Sequence, residues 1–448
     1  KNRMMTKKLC LMLLLLARRH GGLVFHHHQR LGRSSTALRA LPVTVFSTPG
    51  CPHCVRAKRL LKRLDVPFED VDVSVAADRA ALVQRTGGKT SVPQIFAGDA
   101  LVGGADDLYA AYETGALAAV LEVDELREKE LDEPQRHSTS VDVATFHEPG
   151  GPLNVLRRTD DEEEATTTSS AEEDVATALQ RSALALVDAH VTDDGVDYEA
   201  LRYSPAFADF ARTAAELTRA DAATLPDAAI VNVYNALVMH GSVVLGHPKT
   251  KEARSRFFTG AASYEIGDTA YSLDDLEHGV LRRSRDDRGF LDDDPRYALF
   301  SERPFDNRIH FALNCGAKSC PPVKLFREDT YDQDLDAATR AFLLGGEDAR
   351  FERQQLPTGH TIFRATLSKL FLWYAADFID DLPGVFESDD HYAAEVSARS
   401  KDLVAAVADL VPDSPLADDI RAFLDLPDEE AYLVLSFADY DWSQNSSS

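Results

Sequence analysis

The sequence of 448 residues is poor in cysteine, with five, and in methionine and tryptophan, with four and two. Five cysteines in a chain of this length exclude a small secreted domain held together by disulfides. The G-x-G-x-x-G, P-loop and HExxH signatures are also missing, so dinucleotide, nucleoside triphosphate and zincin chemistry have no sequence support. At about 150 residues per domain, the length predicts two to three domains.

Acidic residues are missing from the first 64 positions, although the whole chain has a net charge of −26. The first 40 residues carry nine of the 48 lysines and arginines and none of the 74 aspartates and glutamates. The remainder is therefore strongly acidic, which argues against a nucleic acid partner because phosphate binding needs a basic face. Hydrophobic residues make up 44% of the chain, as in an ordinary core-forming polypeptide.

The basic segment 1–40 is predicted to be a signal- or transit-like leader. Its nine-residue apolar run, Leu9–Ala17, would span roughly 13 Å as a helix, against about 30 Å for a bilayer core. We therefore expect no membrane span in the mature chain. The acid-free stretch that follows resembles a transit peptide and predicts an organelle, plastid or mitochondrion, reached through the secretory route. A secreted or cytoplasmic location is the alternative. Three adjacent histidines, His26–His28, are expected to be solvated.

A thiol motif opens the next segment. A β-rich run, Val43–Phe46, and a turn precede Cys51-Pro52-His53-Cys54, which begins an amphipathic helical segment. This order places Cys51 at a helix N-terminus, where free N–H groups and the helix dipole stabilise a thiolate. Cys54 lies one turn further and can attack a mixed disulfide on Cys51. A zinc site would need a second Cys or His pair nearby, and none follows within a hundred residues. We therefore favour a redox role and expect no metal.

The motif resembles the glutaredoxin family over residues 41–122, together with the segments Thr90–Phe96 and Gly103–Leu108. The resemblance implies a thioredoxin-like α/β fold, glutathione as co-substrate, and disulfide-bearing proteins as partners. It makes Cys51 the glutathionylated nucleophile and Cys54 the resolving thiol, and it implies a cis proline in the first of these segments. The implied glutathione site is lined by Thr48, His53, Ser91, Val92, Pro93, Ala105, Asp106 and Asp107. Adjacent glycines let the backbone approach a peptide ligand, and Asp106 or Asp107 can receive its ammonium group.

Two positions depart from the family pattern. Many glutaredoxins carry a lysine where Thr48 stands, and Arg56, Lys58 or Lys89 are the expected substitutes. The usual CPYC or CPFC is CPHC here. A protonated or hydrogen-bonding His53 would stabilise the Cys51 thiolate and with it the reduced form, which predicts a more oxidising couple than that of an ordinary glutaredoxin.

Residues 123–172 are predicted to form a flexible acidic linker. Asp160–Asp174 has too few apolar residues to bury a core, and its charges repel one another into a solvated segment. Phe146–Pro152 is the one part that we expect to dock against a domain.

Amphipathic segments resume at Val175 and predict a mainly helical α+β domain over residues 173–448, so that the chain is multi-domain. Ile230–Val244 is apolar almost throughout, which predicts a buried helix. Asn232, Asn235 and His240 are its polar exceptions. Because a buried polar group costs free energy unless it is hydrogen-bonded, they are expected to have partners in the core or to belong to a site.

Two further segments carry candidate site residues. A helix-capping pattern predicts a helix on which His278 and Arg282 share a face at i, i+4. Arg308–Cys315 alternates as a strand, with His310 on the face opposite the apolar residues. This strand is predicted to run into a turn that holds Cys320, which is a common position for a functional side chain.

These segments resemble the domain of unknown function family 547 over about residues 175–445. The matching pieces include Val191–Leu201, Leu273–Arg282, Ile309–Pro322 and Leu367–Tyr374. The family has no established activity, so the resemblance implies none.

Residue chemistry alone gives a candidate second site of Asn235, His240, Glu277, His278, Arg282, His310, Cys315 and Cys320. Cysteine, histidine and an orienting residue are the components of a thiol hydrolase or transferase. Cys320, in the turn, is the favoured nucleophile, and Cys315 is expected to be buried and inert. Asn235 and His240 lie about 140° apart around a helix and cannot face one substrate. Two alternatives remain open: a cysteine pair that is a redox client of the thiol domain, and a non-catalytic surface that brings the thiol domain to its targets.

Overall fold

The computed structural model describes residues 41–48, 52–73, 76–87, 89, 92–123, 126, 150–155, 174–192, 195–321, 323–345, 348–356, 361–383, 388–427 and 432–444. The leader with its three histidines, Cys51, Ser91, nearly all of the predicted linker and the side chain of Asp106 lie outside the described residues. What the sequence indicates for them stays a prediction.

The first domain is a four-stranded sheet with helices on its faces. Its strands are β1 (Val43–Ser47), β2 (Phe68–Asp72), β3 (Gln94–Ala97) and β4 (Ala100–Gly103), in the order β2-β1-β3-β4. Strand β1 is parallel to β2 and antiparallel to β3, and β3 is antiparallel to β4. The helices are α1 (Pro52–Arg63), α2 (Ala76–Thr86), α3 (Ala105–Glu113) and α4 (Leu117–Val120). The predicted thioredoxin-like α/β fold is confirmed.

Helix α1, which follows the CxxC motif, has two apolar sides. Leu60, Leu61 and Leu64, the last just beyond the helix, pack into the core under the sheet, as their spacing predicts. Val55, near the start of the helix, packs instead against the core of the larger domain. The helix that carries the thiol motif therefore lies between two hydrophobic cores.

The first half of the larger domain is built around one buried helix. Its elements are α5 (Val175–Ala189), β5 (Val191–Thr192), β6 (Gly195–Val196), α6 (Tyr198–Arg202), α7 (Pro205–Ala215), α8 (Asp227–Val244), α9 (Lys251–Arg256), β7 (Ser263–Ile266), β8 (Thr269–Ser272) and α10 (Tyr297–Phe300). Every residue of α8 from Ala228 to Val243 is buried, so the predicted buried helix is confirmed.

The second half places a three-stranded sheet against helices. Its elements are α11 (Tyr331–Gly345), β9 (Ala349–Gln355), β10 (Thr361–Leu367), α12 (Leu370–Trp373), α13 (Asp389–Ala398), α14 (Ser400–Leu410), α15 (Pro415–Leu424) and β11 (Tyr432–Phe437). The strand order is β11-β10-β9, with β10 parallel to β11 and antiparallel to β9. A second core lies between this sheet and the helices. The larger domain is a mixed helix and sheet structure, as predicted.

Short 3₁₀ and π segments carry several site residues. The 3₁₀ turns are Glu216–Arg219, Asn307–Phe311, Glu328–Thr330 and Ala375–Asp377, and the π turns are Phe257–Ala261 and Asp275–Leu281. Ser272 begins the second π segment with a reciprocal cap: its hydroxyl accepts from the Asp275 N–H, and its own N–H donates to the Asp275 carboxylate at 2.9 Å. The predicted capping pattern is confirmed.

The strand predicted over Arg308–Cys315 is wrong, because the chain forms a 3₁₀ turn there and continues irregularly. Asp306 caps the turn by accepting from the Arg308 N–H at 2.9 Å. The alternating apolar residues serve two different cores: Ile309 packs in the first and Phe311 in the second. A segment between two cores therefore gives the same alternation as a strand with one buried face.

Within the predicted linker, docking contacts occur just beyond Phe146–Pro152, whose first four residues lie outside the described residues. Leu153 is buried in the larger domain's first core. Asn154 donates to Glu265 O at 2.7 Å and accepts from the Glu265 N–H at 2.7 Å. These contacts hold residues 150–155 against strand β7. No helix among the described residues is long and apolar enough to cross a membrane.

Candidate functional site

The thiol site lies where β1 meets the start of α1. Thr48 is buried directly after the strand, and Cys54 is buried in the first turn of the helix, where it forms a disulfide whose partner is outside the described residues. His53 is exposed beside it. The Val92–Pro93 peptide bond is cis, as the resemblance implies. Ala105 is buried at the start of α3.

The paired glycines shape the start of α3. Gly103 has φ +125°, and a Cβ there would collide with the side chain of Asp107. The Asp107 carboxylate accepts from the Gly104 N–H at 3.0 Å and so caps the helix. Asp107 therefore has a structural role at the site predicted to receive an ammonium group.

Two of the three cations expected to replace the missing lysine already contact other side chains of the first domain. Lys58 donates to Asp70 Oδ2 at 2.9 Å, and the Arg56 guanidinium lies 4.2 Å from the centre of the Tyr109 ring. Lys89 is exposed. A different source of positive charge has Thr48 in its wall.

That source is a cavity of about 670 Å³ between the thiol domain and the larger domain. Thr48 and Val92, both predicted glutathione contacts, form part of its wall. Three cations line it as well: Arg79 from α2, Lys324 from the larger domain, and Arg340 from α11. Sequence reasoning missed all three, because no local pattern shows that segments so far apart in the chain meet here.

Burial in this cavity lowers the pKa of two of its cations. Desolvation, reinforced by the charge of Arg79, lowers the pKa of Lys324 to about 7, and desolvation also lowers the pKa of Arg79. Two cations confined together repel each other and lack water, so a bound carboxylate would stabilise both. Asp332 and Asp336 lie on the same wall and limit the net positive charge.

A second cavity, of about 710 Å³, lies within the larger domain. Glu277, His278, His310, Cys315 and Cys320 all line it. The structure thus brings together five of the eight residues that the sequence singled out there.

Arg282, a sixth candidate, lies in a buried charge network beneath the cavity. Asp377 accepts from Arg282 Nε at 2.6 Å, from His310 Nε2 at 2.8 Å and from Arg285 Nε at 3.0 Å. Burial alone would raise the pKa of Asp377, but the hydrogen bonds from His310 and Arg282 hold it well below its usual range. Desolvation lowers the pKa of His310, so its neutral ring donates from Nε2 and stacks on Tyr374, with ring centres 4.0 Å apart.

The predicted i, i+4 pairing is confirmed: Arg282 contacts His278 Nδ1 at 2.7 Å. Arg282 also pairs with Asp286, so that the guanidinium bridges two carboxylates.

Glu277 accepts from two tyrosines, Tyr234 at 2.9 Å and Tyr374 at 2.6 Å. Burial opposes its ionisation, but His278 and the Tyr374 hydroxyl outweigh that effect and lower the pKa of Glu277. Both tyrosines have raised pKa values because of burial and the adjacent carboxylate. Glu277 is therefore a fixed negative charge in the cavity wall.

The remaining two candidates lie in the core. Asn235 donates to Ala312 O at 3.0 Å and accepts from the Asn314 N–H at 2.9 Å, so it holds the segment between His310 and the cysteines. His240 hydrogen-bonds Tyr264 at 2.8 Å among phenylalanine rings. Asn232 bridges the backbone of Phe326. All three are hydrogen-bonded core groups, as expected of polar residues on a buried helix.

Cys315, expected to be buried and inert, is only partly buried and lies beside Cys320. Both are free and partly buried, and their sulfur atoms are 2.8 Å apart. Their other partners are Tyr440 and, for Cys320, the Cys315 N–H. Among the described residues, no histidine nitrogen is hydrogen-bonded to either sulfur. The thiol hydrolase hypothesis therefore has no histidine base in hydrogen-bond contact with either thiol in this structure.

The sequence also missed Asp377, Tyr374 and Tyr440, each of which lies more than 60 positions from its hydrogen-bond partner at the cavity: His310, Glu277 and Cys320, respectively. No group of three or more His, Cys, Asp or Glu side chains within the described ranges is arranged to hold a metal ion.

Comparisons with known proteins match two separate parts of the chain. The sequence model of the glutaredoxin family matches residues 43–102, and that of a protein family of unknown function, DUF547, matches residues 227–343. A glutaredoxin of Pseudomonas aeruginosa is 42% identical over 80 residues, which are 18% of this chain and 95% of that protein. Glutaredoxin 1 of Rickettsia typhi is 37% identical over 82 residues, which are 18% of this chain and 79% of that protein.

Solved structures match the same first part. The solution structure of a glutaredoxin from Brucella melitensis is 39% identical, covering 20% of this chain and 96% of that one, with a TM-score of 0.17. A buckwheat glutaredoxin–glutathione complex is 31% identical, covering 18% of this chain and 77% of that one, also with a TM-score of 0.17.

Proposed function

Because the chain belongs to the glutaredoxin family through its first domain and carries a DUF547 domain after it, we propose that it is a glutathione-dependent thiol–disulfide oxidoreductase with Cys51 and Cys54 as reacting thiols. The Cys51 thiolate attacks a glutathione mixed disulfide or a protein disulfide and releases one thiol. Cys54, or a glutathione thiolate, then attacks the mixed disulfide on Cys51. Each complete exchange transfers two electrons.

The observation that carries glutathione dependence is the cavity between the two domains. Two of the residues predicted to contact glutathione, Thr48 and Val92, meet Arg79, Lys324 and Arg340 there. Glutathione has two carboxylates, and charge-assisted hydrogen bonds to them are roughly twice as strong as neutral ones. The lysine missing at position 48 would be replaced by cations from α2 and from the larger domain.

The test is reduction of a small disulfide by the purified chain, with glutathione as the electron donor. We expect the rate to saturate with glutathione. Lys324→Ala should raise the KM for glutathione about tenfold, the loss expected for one hydrogen bond to a charged group, with little change in kcat. The control is Lys318→Ala, which removes an exposed lysine outside the cavity.

Two results would contradict the proposal in different ways. Activity with dithiothreitol but not with glutathione overturns the glutathione dependence. An unchanged KM in both Lys324→Ala and Arg79→Ala, in an enzyme that does use glutathione, overturns only the role given to the cavity.

The redox potential of the CPHC motif gives a second prediction. A protonated or hydrogen-bonding His53, two positions after Cys51, would stabilise the Cys51 thiolate and with it the reduced form. His53→Tyr should therefore lower the midpoint potential by about 30 mV, which is a tenfold change in the equilibrium constant. Redox titration of the full chain against glutathione buffers measures it, with His190→Tyr, distant in the sequence, as the control. A midpoint in His53→Tyr equal to or above that of the unmodified chain contradicts the idea.

A further inference from the structure

The loop that holds the two cysteines of the larger domain is closed by its own hydrogen bonds. Asn314 donates from its side chain to Pro321 O at 2.6 Å, and the Cys320 N–H donates to Ala317 O at 3.1 Å. The Cys315 N–H in turn donates to Cys320 Sγ at 3.1 Å. These bonds bring together two sulfur atoms that are five positions apart in the sequence.

A third group, Tyr440, reaches the pair from the segment after β11. Its hydroxyl lies 3.1 Å from Cys320 Sγ and 3.4 Å from Cys315 Sγ. Burial would raise the pKa of Cys320, but hydrogen bonds from the Cys315 thiol and the Tyr440 hydroxyl outweigh it and lower that pKa. The pKa of Cys315 is raised by its hydrogen bond to Cys320 and by burial. The pair is therefore asymmetric, as a nucleophile and a resolving thiol must be.

The pair is also open to a ligand, because both cysteines line the 710 Å³ cavity. Lys251, Arg254 and Arg288 contribute cations to the cavity, and Trp373 and Trp442 form an aromatic wall. Its acidic residues are Asp274 and Glu277, so the three cations outnumber the carboxylates. The lining favours a ligand that carries carboxylates.

From this geometry we propose that Cys315 and Cys320 are a second thiol–disulfide exchange centre, whose substrate is a carboxylate-bearing disulfide that enters the cavity of the larger domain. This activity is separate from that of the first domain and does not depend on glutathione use there.

The exchange balances in two steps. The Cys320 thiolate attacks one sulfur of the substrate disulfide, forms a mixed disulfide and releases the other half as a thiolate. Cys315 then gives its proton to solvent, attacks Cys320 Sγ, and releases the second half. The substrate disulfide gains two electrons, and the protein gains a Cys315–Cys320 disulfide. A reduced thiol such as glutathione reverses both steps.

The experiment uses the full chain with both Cys51→Ser and Cys54→Ser, so that the first domain contributes no exchange. The reduced protein is incubated with glutathione disulfide, alkylated and digested without reductant. Trypsin cleaves after Lys318, between the two cysteines, so a disulfide leaves the peptides Ile309–Lys318 and Ser319–Lys324 covalently joined. We expect the joined pair as the main product, and its loss when reduced glutathione is in excess.

Single variants test the assigned roles. Cys315→Ser should accumulate a glutathione adduct on Cys320, whereas in Cys320→Ser the remaining Cys315 should react at least about tenfold more slowly. Tyr440→Phe should slow the exchange about tenfold and move its pH profile to higher pH, because Cys320 loses one hydrogen bond to its thiolate. Tyr432→Phe, an exposed tyrosine on β11, is the control.

The proposal is overturned if no joined peptides form at any ratio of glutathione disulfide to glutathione, or if the two single cysteine variants react equally fast. It is also overturned if the joined peptides form equally fast in unfolded protein, because the folded loop would then contribute nothing. None of these results bears on the first domain, whose activity is measured separately in the chain with Cys51 intact.

Discussion

Replacing Cys51 by serine is expected to lower glutathione-dependent disulfide reduction by roughly 10³-fold or more. The reaction begins with a thiolate that attacks a disulfide, and a serine hydroxyl is not ionised near neutral pH and forms no bond that a second thiol can break. The coupled rate of reduction of a small disulfide, at saturating glutathione, measures the effect. Cys10→Ser, a cysteine of the leader, should leave the rate unchanged.

Cys54→Ser should behave differently from Cys51→Ser. Glutathione can still resolve the mixed disulfide on Cys51, so reduction of glutathione mixed disulfides should continue, while reduction of protein disulfides should stall with the client attached. If Cys315 or Cys320 is such a client, a non-reducing digest will contain a peptide joined to the one that carries Cys51. Equal loss of activity in both variants would contradict the assignment of Cys51 as nucleophile and Cys54 as resolving thiol.

The first domain could be predicted from the sequence because its signals are local. The strand, the CxxC motif, the amphipathic helix, the Val92–Pro93 segment and the paired glycines each lie within a few consecutive residues. The structure has the predicted fold and a cis bond at Pro93. Lys324 and Arg340, which share a cavity wall with Thr48, could not be predicted because each lies more than 200 residues from Thr48 in the sequence.

In the larger domain, the sequence predicted some site residues and local structures correctly and others wrongly. Residue chemistry correctly grouped Glu277, His310 and Cys320, which line one cavity. It also included His240 among the site candidates, although His240 is hydrogen-bonded to Tyr264 in the core. The sequence does not show whether a buried histidine has such a partner. The alternation of apolar residues wrongly predicted a strand where the 3₁₀ turn Asn307–Phe311 forms, because it does not reveal whether these residues pack into one core or two.

The charge network around Asp377 gives the largest expected effect on stability. Its side chain is completely buried, and it accepts hydrogen bonds from Arg282, His310 and Arg285. Asp377→Asn keeps the shape but removes the negative charge, so that Arg282 stays buried with Asp286 as its remaining carboxylate. Removing one partner of a buried ion pair costs about 3–5 kcal/mol. Because Arg282 keeps its pairing with Asp286, we expect a loss at the lower end of this range, about 3 kcal/mol.

Urea unfolding of the full chain, followed in the transition of the larger domain, measures this loss. The matched control is Asp209→Asn, which breaks an exposed pair with Arg212 on α7. Exposed pairs are worth only about 0.2–1 kcal/mol, so the control should shift the midpoint little. A loss in Asp377→Asn no larger than in the control would show that the buried pairing of Asp377 does not stabilise the larger domain.

The pH dependence of the free energy of unfolding distinguishes the loss of the Asp377 charge from a disturbance of packing. Because the pKa of Asp377 in the folded protein lies below its unfolded value of about 3.9, the carboxylate contributes its full stability above about pH 5 and loses it as the pH falls further. Asp377→Asn has no such group to protonate, so the free energy of unfolding should fall less steeply in acid than in the unmodified chain. The two curves should therefore converge as the pH falls below about 4. Parallel curves would mean that asparagine disturbs packing instead of charge, and they would assign the acid sensitivity of the larger domain to other carboxylates such as Asp286.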